Sequence, residues 1–489
     1  MAGIRAFFAD RKTRQYISVA ALGTFVLQVI LSGILLFVAN STKMLPWRYL
    51  FLLGAILIAL AVLTFFLLGR KFRGRAAALA LSLVVIFTSL WGARNLQRTM
   101  DIFHGNEVAY KIDDMVAVVL AEDPAQSILD TSGYVFGVQN GMDAANTEAM
   151  RQDVEEKLGA SIQVRTYASP VEEAQALLDG EVGAILYNKA YEPLIEEAIE
   201  GYLDQVRVIH NYGIQTEIET KNVEQGEPFN IVISGIDVRG SIDQTSRSDV
   251  NIIVTVNPNT KKILMTSTPR DYYLEIPGVS GGMRDKLTHA GLYGIDATIA
   301  TLENAYNVDV TYYVKVSFTT LVDVVDALGG VDVYVSESFD AFTDSGVHIE
   351  QGMQHLNGRQ TLAFCRERYS FADGDNQRGR NQEAVLKAIL EKMMSPSILL
   401  NVSGFLDSLG DSFTTSLPDS KIAELVNMQL TDNASWKFMS QSAGRGEYDM
   451  QPTYSGGRMN LSVTWPDEDS MKENAARIQA VLADTLPQQ

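Results

Sequence analysis

The sequence predicts a mixed α/β protein with three N-terminal transmembrane helices, a small α/β accessory domain and a larger C-terminal α/β domain. Within the first 100 of the 489 residues, apolar side chains are concentrated in three long uncharged runs. Strand-like and helical patterns alternate from about residue 113 to residue 217, and again after a polar stretch that ends near residue 228. We therefore place the domains at 1–100, 105–225 and 226–489.

The three apolar runs are Tyr16–Val38, Tyr49–Leu68 and Ala76–Trp91. The first two approach or exceed the ~20 residues that cross a hydrocarbon core, and the third is at the low end of that range. A cleavable signal peptide would account for one run but not for three. Residues 70–75 carry four cations, each costing about 2.5–3.5 kcal/mol at the bilayer centre. This segment is therefore predicted to be a loop outside the lipid.

The distribution of charge predicts the orientation of these helices. Residues 1–100 contain twelve Lys or Arg and one acid, and the basic clusters lie at the amino terminus and in the second loop. The excess of cations on cytoplasmic loops places both clusters inside the cell and all residues after about 100 outside it. The remaining chain carries 28 basic and 58 acidic residues, a net charge of −30. Such a charge opposes direct contact with nucleic acid.

The predicted accessory domain alternates strands with helices and contains no catalytic cluster. Its predicted elements are Met115–Leu120, Tyr134–Val138, Ala144–Leu158, Ile162–Tyr167, Pro170–Leu178, Val182–Tyr187 and Glu192–Leu203. The acidic stretch 192–201 is interpreted as the solvated face of a helix. The polar stretch Thr216–Pro228 contains Gly and Pro and is interpreted as the linker to the next domain.

The C-terminal domain opens with an apolar run, Asn230–Asp237, that ends in Gly and Asp. Two further runs, Val250–Val256 and Ile263–Ser267, are separated by Asn-Pro-Asn-Thr and predict a hairpin. Apolar residues recur at helical spacing from Phe318 to Leu328. Two glycines then end that helix before the strand Val331–Val335. This part of the chain therefore predicts a sheet covered by helices.

The arginines of this acidic domain occur in a few short motifs, each where an apolar run begins or ends. The motifs are Arg247-Ser248-Asp249, Thr268-Pro269-Arg270-Asp271, Arg366-Glu367-Arg368 and Arg378-Gly379-Arg380-Asn381-Gln382. Such positions converge at the mouth of an α/β sheet. Extending a predicted helix, Gln382–Met394, backwards puts Arg378 on the same face as Gln382, near a helix N-terminus that favours an anion. Several guanidinium groups at a helix start suit a pyrophosphate.

Two carboxylates accompany the arginines. Asp237 ends one apolar run and Asp249 begins the next, and Mg²⁺ prefers carboxylate and phosphate oxygens. Their positions are therefore compatible with a site for Mg²⁺, with Mn²⁺ as the alternative ion. In the competing interpretation each arginine pairs with a nearby acid and each aspartate forms a turn or a cap. Clustering four or more partly buried cations is costly without an anion, which favours a shared site.

These motifs, in this order, resemble the LytR-CpsA-Psr family. Three further segments carry the resemblance: Lys286–Gly294, Leu328–Val333 and Leu356–Ala363. The resemblance runs from about Asn230 to Met394 and towards the chain end. The three membrane helices and the extra α/β domain resemble the capsule-assembly branch of that family. The resemblance implies an α-β-α sandwich catalytic domain with an apolar pocket for a polyprenyl tail.

The resemblance implies a bacterial membrane enzyme that transfers a capsular or teichoic-acid-like glycopolymer from polyprenyl pyrophosphate to peptidoglycan. A sugar hydroxyl would attack the phosphorus next to the polymer, and the lipid phosphate would leave. Asp237 and Asp249 would hold Mg²⁺, with Arg247 beside them. The implied pyrophosphate-binding residues are Arg270, Arg366, Arg368, Arg378 and Gln382. The general base is left open: it is Asp237 or Asp249 if either is free of metal, or Asp271.

Three other functions fit part of the pattern: a polyprenyl-pyrophosphate hydrolase, a non-catalytic lipid-pyrophosphate binder and a membrane-bound transcriptional attenuator. The expected partners are the lipid-linked glycan, peptidoglycan and membrane lipid, without nucleic acid. His289 is interpreted as structural in preference to catalytic. Cys365 is the single cysteine, which excludes an intrachain disulfide and suggests a small buried side chain. Cys365 and Thr268 depart from the residues more common in the family.

Overall fold

The computed structural model describes residues 11–104, 109–139, 143–218, 221–236, 242, 244–372, 374–395, 413–457 and 460–485. The described α-helices are, in chain order, α1 (Arg11–Ser41), α2 (Trp47–Leu68), α3 (Phe72–His104), α4 (Ala144–Leu158), α5 (Pro170–Leu178), α6 (Glu192–Ala198), α7 (Tyr202–Gln205), α8 (Leu287–Ala290), α9 (Ile295–Tyr306), α10 (Phe318–Ala327), α11 (Gly358–Arg366), α12 (Asp375–Met393), α13 (Asp419–Asp432) and α14 (Glu468–Leu482). The described strands are β1 (Ala109–Leu120), β2 (Val135–Gln139), β3 (Gln163–Tyr167), β4 (Ala184–Asn188), β5 (Val206–Ile218), β6 (Phe229–Ile236), β7 (Ser248–Asn257), β8 (Lys262–Ser267), β9 (Tyr273–Glu275), β10 (Arg284–Lys286), β11 (Tyr312–Ser317), β12 (Val331–Val335), β13 (Phe339–Asp340), β14 (His348–Ile349), β15 (Gly352–Leu356), β16 (Phe413–Thr415), β17 (Lys437–Ser442), β18 (Glu447–Pro452) and β19 (Asn460–Trp465). The chain forms two compact units, which comprise 1–107, 393–407 and 418–434, and 108–392, 408–417 and 435–489.

Helices α1, α2 and α3 of the first unit are each long and apolar enough to cross a membrane, as the three runs predict. Large apolar side chains such as Phe37, Phe51 and Phe66 are exposed on their surfaces, as expected of residues that face lipid. The predicted loop at 70–75 is shorter than expected. Helix α3 already begins at Phe72, so two of the four cations, Arg73 and Arg75, lie in its first turn.

One polar side chain from each of the three helices meets in their shared interior. The Gln28 side-chain oxygen accepts hydrogen bonds from Ser82 Oγ at 2.8 Å and from Thr64 Oγ1 at 3.3 Å. All three residues are buried. Interhelical hydrogen bonds of this kind fix how membrane helices pack, since the apolar surfaces alone do not discriminate against lipid.

The first unit also contains α13, a helix from the C-terminal part of the chain. The Asn427 side-chain amide donates to the backbone oxygen of Lys43 at 2.9 Å, and the Arg48 guanidinium donates to the backbone oxygen of Leu430. Helix α13 is therefore attached to the end of the membrane helices at which α1 is connected to α2.

The second unit begins with a five-stranded sheet of strand order β3-β2-β4-β1-β5. Strand β2 is parallel to β3 and β4, whereas β1 is antiparallel to β4 and β5. Met150 on α4 packs against one face of the sheet, and Leu177 on α5 packs against the other. This α/β arrangement confirms the alternation read from the sequence between residues 113 and 217.

Two details of this region differ from the sequence-based expectation. The predicted helix Glu192–Leu203 is divided into α6 and α7, because Gly201 adopts a backbone φ of +74° between them. Strand β5 was not predicted, and it extends into the expected linker as far as Ile218. It is an edge strand in which only Ile218 is buried, so its apolar pattern is weak.

The five-stranded sheet shares its hydrophobic core with a later part of the second unit. Ile276, Ala290 and Tyr293 belong to the same buried cluster as Val116 and Tyr187. Polar contacts reinforce this packing, since Lys111 Nζ donates to the backbone oxygen of Tyr293 at 2.9 Å. The accessory sheet is therefore packed directly against the segment that follows β9.

A six-stranded sheet of order β16-β11-β6-β7-β8-β17 forms the rest of the second unit's framework. Strands β7 and β8 pair antiparallel, which confirms the predicted hairpin. Helix α10 and strand β12 also occur where the sequence predicts them, with Gly329 at a φ of +72° between them. Residues 251–257 of β7 are all buried. Since neighbouring side chains on a strand point to opposite faces, both faces of the sheet are covered.

Candidate active site

A small cleft, partly open to solvent, lies at one edge of the six-stranded sheet. Strand β7 begins there with Ser248, while β8 ends there at Ser267 and the parallel strand β17 ends at Ser442. Strand pairing therefore brings three chain segments that are far apart in sequence to the same place. Four residues predicted from the sequence line the cleft, namely Asp249, Arg270, Arg378 and Gln382.

The two arginines reach the cleft from different elements. Arg270 lies three residues beyond the end of β8, and its Nη1 is 2.9 Å from Asp249 Oδ1. Arg378 lies in the first turns of α12, and 9% of its surface is exposed. Helix α12 begins at Asp375, seven residues before the predicted start at Gln382. Residues 378 and 382 are four apart on this helix, so both side chains lie on the face that lines the cleft.

Oxygen donors lie beside the arginines. Asp249 Oδ1 also accepts a hydrogen bond from Thr288 Oγ1 at 3.2 Å. Asn251 is two residues further along β7 and donates through its side-chain amide to the backbone oxygen of Ser248. Its side-chain oxygen is buried without a hydrogen-bond partner among the described residues. The cleft therefore combines cationic donors with a carboxylate and an amide oxygen.

Among the described residues, no group of three or more His, Cys, Asp or Glu side chains is arranged to hold a metal ion. Asp237, the other predicted Mg²⁺ ligand, lies outside the described residues. The Asp249 carboxylate and the partnerless Asn251 oxygen are hard donors, which fit a cation that takes its remaining ligands from phosphate and water.

Arg247 and Asp271 lie in ion pairs next to the cleft-lining residues. Asp271 Oδ2 is 3.7 Å from Arg270 Nε, and Asp271 Oδ1 is 3.9 Å from Lys286 Nζ. Arg247 is two residues before Asp249, but its Nη2 is 2.7 Å from Glu197 Oε2 on α6. The ion-pair partner of Arg247 is therefore Glu197, an acid that the sequence did not indicate.

Arg366 and Arg368 do not line this cleft. The Arg366 guanidinium lies 4.6 Å from the ring centre of Phe318, and the Arg368 guanidinium lies 4.6 Å from that of Tyr369. They remain connected to the cleft through the backbone, because Gln382 Nε2 donates to the Cys365 oxygen at 3.2 Å. Their predicted role in binding pyrophosphate thus stays a prediction.

His289 and Cys365 have the environments expected of structural residues. His289 is fully buried, with Nδ1 at 2.6 Å from Asp285 Oδ1 and 2.8 Å from Ser455 Oγ. Both contacts involve the same ring nitrogen, so they do not form a relay through the ring. Burial raises the pKa of the Cys365 thiol to about 12, which keeps it protonated.

Several residues in and around the cleft were not predicted as site residues. The additional lining residues are Asn251, Ser267, Thr268, Pro269, Gly379, Ser442 and Ala443. All seven are uncharged, and only Thr268, Pro269 and Gly379 stand within the arginine motifs. Lys286 lies in a segment that supports the resemblance, but it had no predicted role. Glu197 was interpreted as part of a solvated helix face, whereas it contacts both Arg247 and Lys286.

Comparison with known families recognises a region that lies mostly, but not entirely, in the second unit. Residues 199–465, more than half of the chain, match the model of the LytR_cpsA_psr family. The chain belongs to the LytR_cpsA_psr family. The match includes the whole six-stranded sheet and all cleft-lining residues, and it begins within the predicted accessory domain.

Relatives within the LytR_cpsA_psr family carry names that state an activity. The chain is 35% identical over 209 residues to the polyisoprenyl-teichoic acid–peptidoglycan teichoic acid transferase TagU of Bacillus mycoides, covering 42% of this chain and 66% of that protein. It is 32% identical over 243 residues to TagU of a Bacillus cereus strain, covering 49% and 78%. The first alignment thus spans slightly less than two thirds of its relative. Among solved structures, Bacillus subtilis TagV is similar with a TM-score of 0.46 and 28% identity, covering 54% of this chain and all of that one.

Proposed function

We propose that this chain is a membrane-anchored transferase that moves a glycopolymer from a polyprenyl-pyrophosphate carrier to peptidoglycan. The observation that carries the proposal is the convergence of Arg270, Arg378 and Gln382 with Asp249 in one cleft of a LytR_cpsA_psr family member. The printed activity of the TagU relatives supports the reaction class. The polymer is teichoic-acid-like or capsular, and the three membrane helices together with the accessory sheet favour the capsule-assembly branch as our working assignment.

The cleft's cations are suited to a pyrophosphate. Arg270 and Arg378 donate hydrogen bonds to its oxygens and stabilise the negative charge that develops during transfer. Gln382 adds a neutral amide donor on the same helix face as Arg378. Arg366 and Arg368 extend the positive potential towards the remainder of the carrier. Arg270 is held by its contact with Asp249 before substrate arrives. Little reorganisation of its guanidinium is therefore needed in the transition state.

Transfer requires a nucleophile, a base and a leaving group. A sugar hydroxyl of peptidoglycan attacks the phosphorus next to the polymer, forming a new P–O bond. The bond from that phosphorus to the bridging oxygen breaks, and polyprenyl phosphate leaves. The hydroxyl proton passes to a carboxylate, for which Asp237, Asp249 and Asp271 are the candidates. Mg²⁺ held by Asp237 and Asp249, with the Asn251 oxygen nearby, would neutralise phosphate charge; Mn²⁺ is the alternative ion.

The proposed orientation puts the second unit outside the cell. The positive residues around α1 and between α2 and α3 favour a cytoplasmic location for those ends. The connection between α1 and α2 would then lie outside. Asn427 contacts that connection through Lys43, which is consistent with an external C-terminal region. In this orientation the second unit, which contains the cleft, is on the same side of the membrane as the wall.

The proposal is tested with full-length protein in nanodiscs, Mg²⁺, a polyprenyl-pyrophosphate-linked glycan and a peptidoglycan fragment. Arg378→Gln should reduce transfer roughly ten- to hundredfold, because a hydrogen bond to a charged group contributes about 1.5–3 kcal/mol. Arg380→Gln is the matched control, since Arg380 is exposed on the same helix and contacts Gln377. EDTA should abolish transfer and added Mg²⁺ should restore it.

The same assay separates transfer from its alternatives. Release of polyprenyl phosphate at an equal rate with and without the acceptor would identify a hydrolase. Binding of the lipid without turnover would identify a carrier. Equal losses in Arg378→Gln and Arg380→Gln would contradict the assignment of the cleft as the pyrophosphate site.

A further inference from the structure

Glu197 connects the accessory sheet to the neighbourhood of the cleft. It lies on α6, which packs with the five-stranded sheet, and its side chain is 37% exposed. Its two carboxylate oxygens contact different cations. Oε2 is 2.7 Å from Arg247 Nη2, and Oε1 is 3.5 Å from Lys286 Nζ. Burial alone would raise the pKa of Glu197, but Lys286 and Arg247 lower it below its ordinary value, so the carboxylate is charged at neutral pH.

Lys286 continues this contact towards the cleft. Its side chain is only 8% exposed, so its charge requires compensation by acids. Besides Glu197, Lys286 Nζ lies 3.9 Å from Asp271 Oδ1, and Asp271 Oδ2 lies 3.7 Å from Arg270 Nε. Arg270 Nη1 is in turn 2.9 Å from Asp249 in the cleft. Acids and bases thus alternate without interruption from α6 to the cleft-lining carboxylate.

The position of the Arg247 guanidinium also depends on Glu197. Its Nε is buried without a hydrogen-bond partner among the described residues. The contact of Nη2 with Glu197 holds the guanidinium in place, and the Nε–H group remains available as a donor. Without the Glu197 carboxylate, Arg247 and Lys286 would be two neighbouring cations with no acid between them. They would repel each other and shift from their present positions.

We propose that Glu197 is a positioning residue for the pyrophosphate site. Through Glu197, the accessory sheet and α6 keep the side chains of Arg247 and Lys286 in place beside Asp271 and Arg270. The inference rests on the proposed function, because it assumes that this site acts on a pyrophosphate. It assigns a role to the accessory sheet beyond its shared core. Helix α6, which packs with the sheet, supplies a carboxylate without which the arrangement of charges beside the cleft is incomplete.

The proposal predicts that substrate binding and turnover respond in opposite directions. Glu197→Gln removes one negative charge near the site, so the affinity for inorganic pyrophosphate should rise roughly three- to tenfold at low ionic strength. The released Arg247 and Lys286 should no longer support the reacting geometry. We therefore expect kcat to fall roughly tenfold or more while KM for the lipid-linked glycan is unchanged or lower. A purely structural role would instead lower the fraction of folded protein and leave both constants unchanged per active site.

The experiment compares full-length wild type, Glu197→Gln and Glu181→Gln in nanodiscs. Glu181 is the matched control, because it is exposed in the same sheet region and pairs with Arg165 at 3.2 Å. Transfer kinetics and calorimetric titration with inorganic pyrophosphate are measured for each protein. Glu181→Gln should match wild type in both. Glu197→Asp should recover part of kcat, since it restores the charge on a shorter side chain.

Each outcome bears on the inference separately from the proposed function. An inactive wild type would refute the proposed function, and the pyrophosphate titration would still decide the role of Glu197. Unchanged affinity in Glu197→Gln would then overturn the inference. With an active wild type, an unchanged kcat would overturn it. A higher kcat would also overturn it, because Glu197 would then restrain the site instead of supporting it.

Discussion

Glu383 is a buried acid directly behind the cleft. It follows Gln382 on α12, and only 4% of its surface is exposed. Burial raises the pKa of its carboxyl group to about 7, although hydrogen bonds from Ser267 and Ser440 oppose that rise. Ser267 itself lines the cleft. The protonation of Glu383 near neutral pH is therefore coupled to the stability of the cleft wall.

We predict that Glu383 makes the protein less stable as the pH rises. The unfolded carboxyl loses its proton near its ordinary pKa of 4.5, whereas the folded one retains its proton up to about 7. The stability that Glu383 contributes is thus complete below pH 4.5 and is lost between about 4.5 and 7. The free energy of unfolding falls by about 3 kcal/mol over this range.

Glu383→Gln should remove this dependence and stabilise the protein at pH 8. Thermal unfolding of full-length protein in detergent, followed from pH 4.5 to 8, measures the effect. Glu391→Gln is the control, because Glu391 is an exposed residue of the same helix. A wild-type midpoint that does not fall relative to Glu383→Gln over this range would contradict the assignment.

At the scale of single residues, the sequence predicted the relative positions of residues on one helix or strand. It did not predict contacts between residues that are far apart in sequence. The spacing of Arg378 and Gln382 on one helix was sufficient to put both on one face. Arg247 was predicted to lie near Asp249, two residues away. Its ion-pair partner Glu197 is fifty residues distant in sequence and lies on α6, which packs with the other sheet. No local pattern distinguishes such an acid from its neighbours on a solvated helix face.

At the scale of elements, predictions were accurate where the sequence marks the ends of a helix or the turn of a hairpin. Helix α10 begins at Phe318 after a capping box formed by Ser317 and Thr320, and it ends before two glycines. The hairpin turn is stabilised by Asn257 Oδ1, which accepts from the backbone of Asn259 and Thr260. Edge strand β5 and the first turns of α12 lack such signals. Their formation depends on pairing with β1 and on packing, which the local sequence does not encode.

The loop between α11 and α12 is organised by one buried acid. Glu367 is fully buried, and its carboxylate accepts hydrogen bonds from four backbone N–H groups. These belong to Phe342, Arg368, Tyr369 and Ser370, at distances between 2.7 and 3.0 Å. This carboxylate therefore fixes the position of the arginine that follows it and joins the loop to the segment after β13.

Glu367→Gln should destabilise the protein by about 1–3 kcal/mol. A Gln amide provides one acceptor oxygen, and its NH₂ group would face backbone donors that it cannot satisfy. The expected fall in the unfolding midpoint is roughly 1–4 °C for a unit of this size. Thermal unfolding in detergent measures it. Glu337→Gln, at an exposed position of the same region, should change the midpoint by less than about 1 °C. Equal midpoints for the two variants would refute the role of Glu367.

At the scale of the whole molecule, composition and charge determined most of what the sequence could predict. The three apolar runs became three helices, and the alternating segments became two sheets with helices. The shared core between the accessory sheet and residues such as Ile276 and Tyr293 was not predictable. It is formed by single apolar residues in segments without regular periodicity. The convergence of β7, β8 and β17 at the cleft likewise depends on long-range pairing.

The orientation of the membrane helices can be tested with the chain's single native cysteine as an internal control. Cys365 is buried, and burial raises its pKa to about 12, so it should not react with a maleimide in the folded protein. Ser41, Lys71 and Lys472 are exposed and provide three sites for introduced cysteines. Ser41 lies at the end of α1, Lys71 precedes α3, and Lys472 lies in α14 of the second unit.

In intact cells, a membrane-impermeant maleimide should label Ser41→Cys and Lys472→Cys but not Lys71→Cys. Lys71 belongs to the basic cluster that the excess of cytoplasmic cations keeps inside, so labelling there should require permeabilised cells. Wild type should remain unlabelled in both conditions. Labelling of Lys71→Cys alone in intact cells would show that the orientation is the reverse of the proposed one. The cleft would then lie on the cytoplasmic side of the membrane, away from the wall. Because peptidoglycan lies outside the membrane, that result would also exclude the proposed transfer reaction.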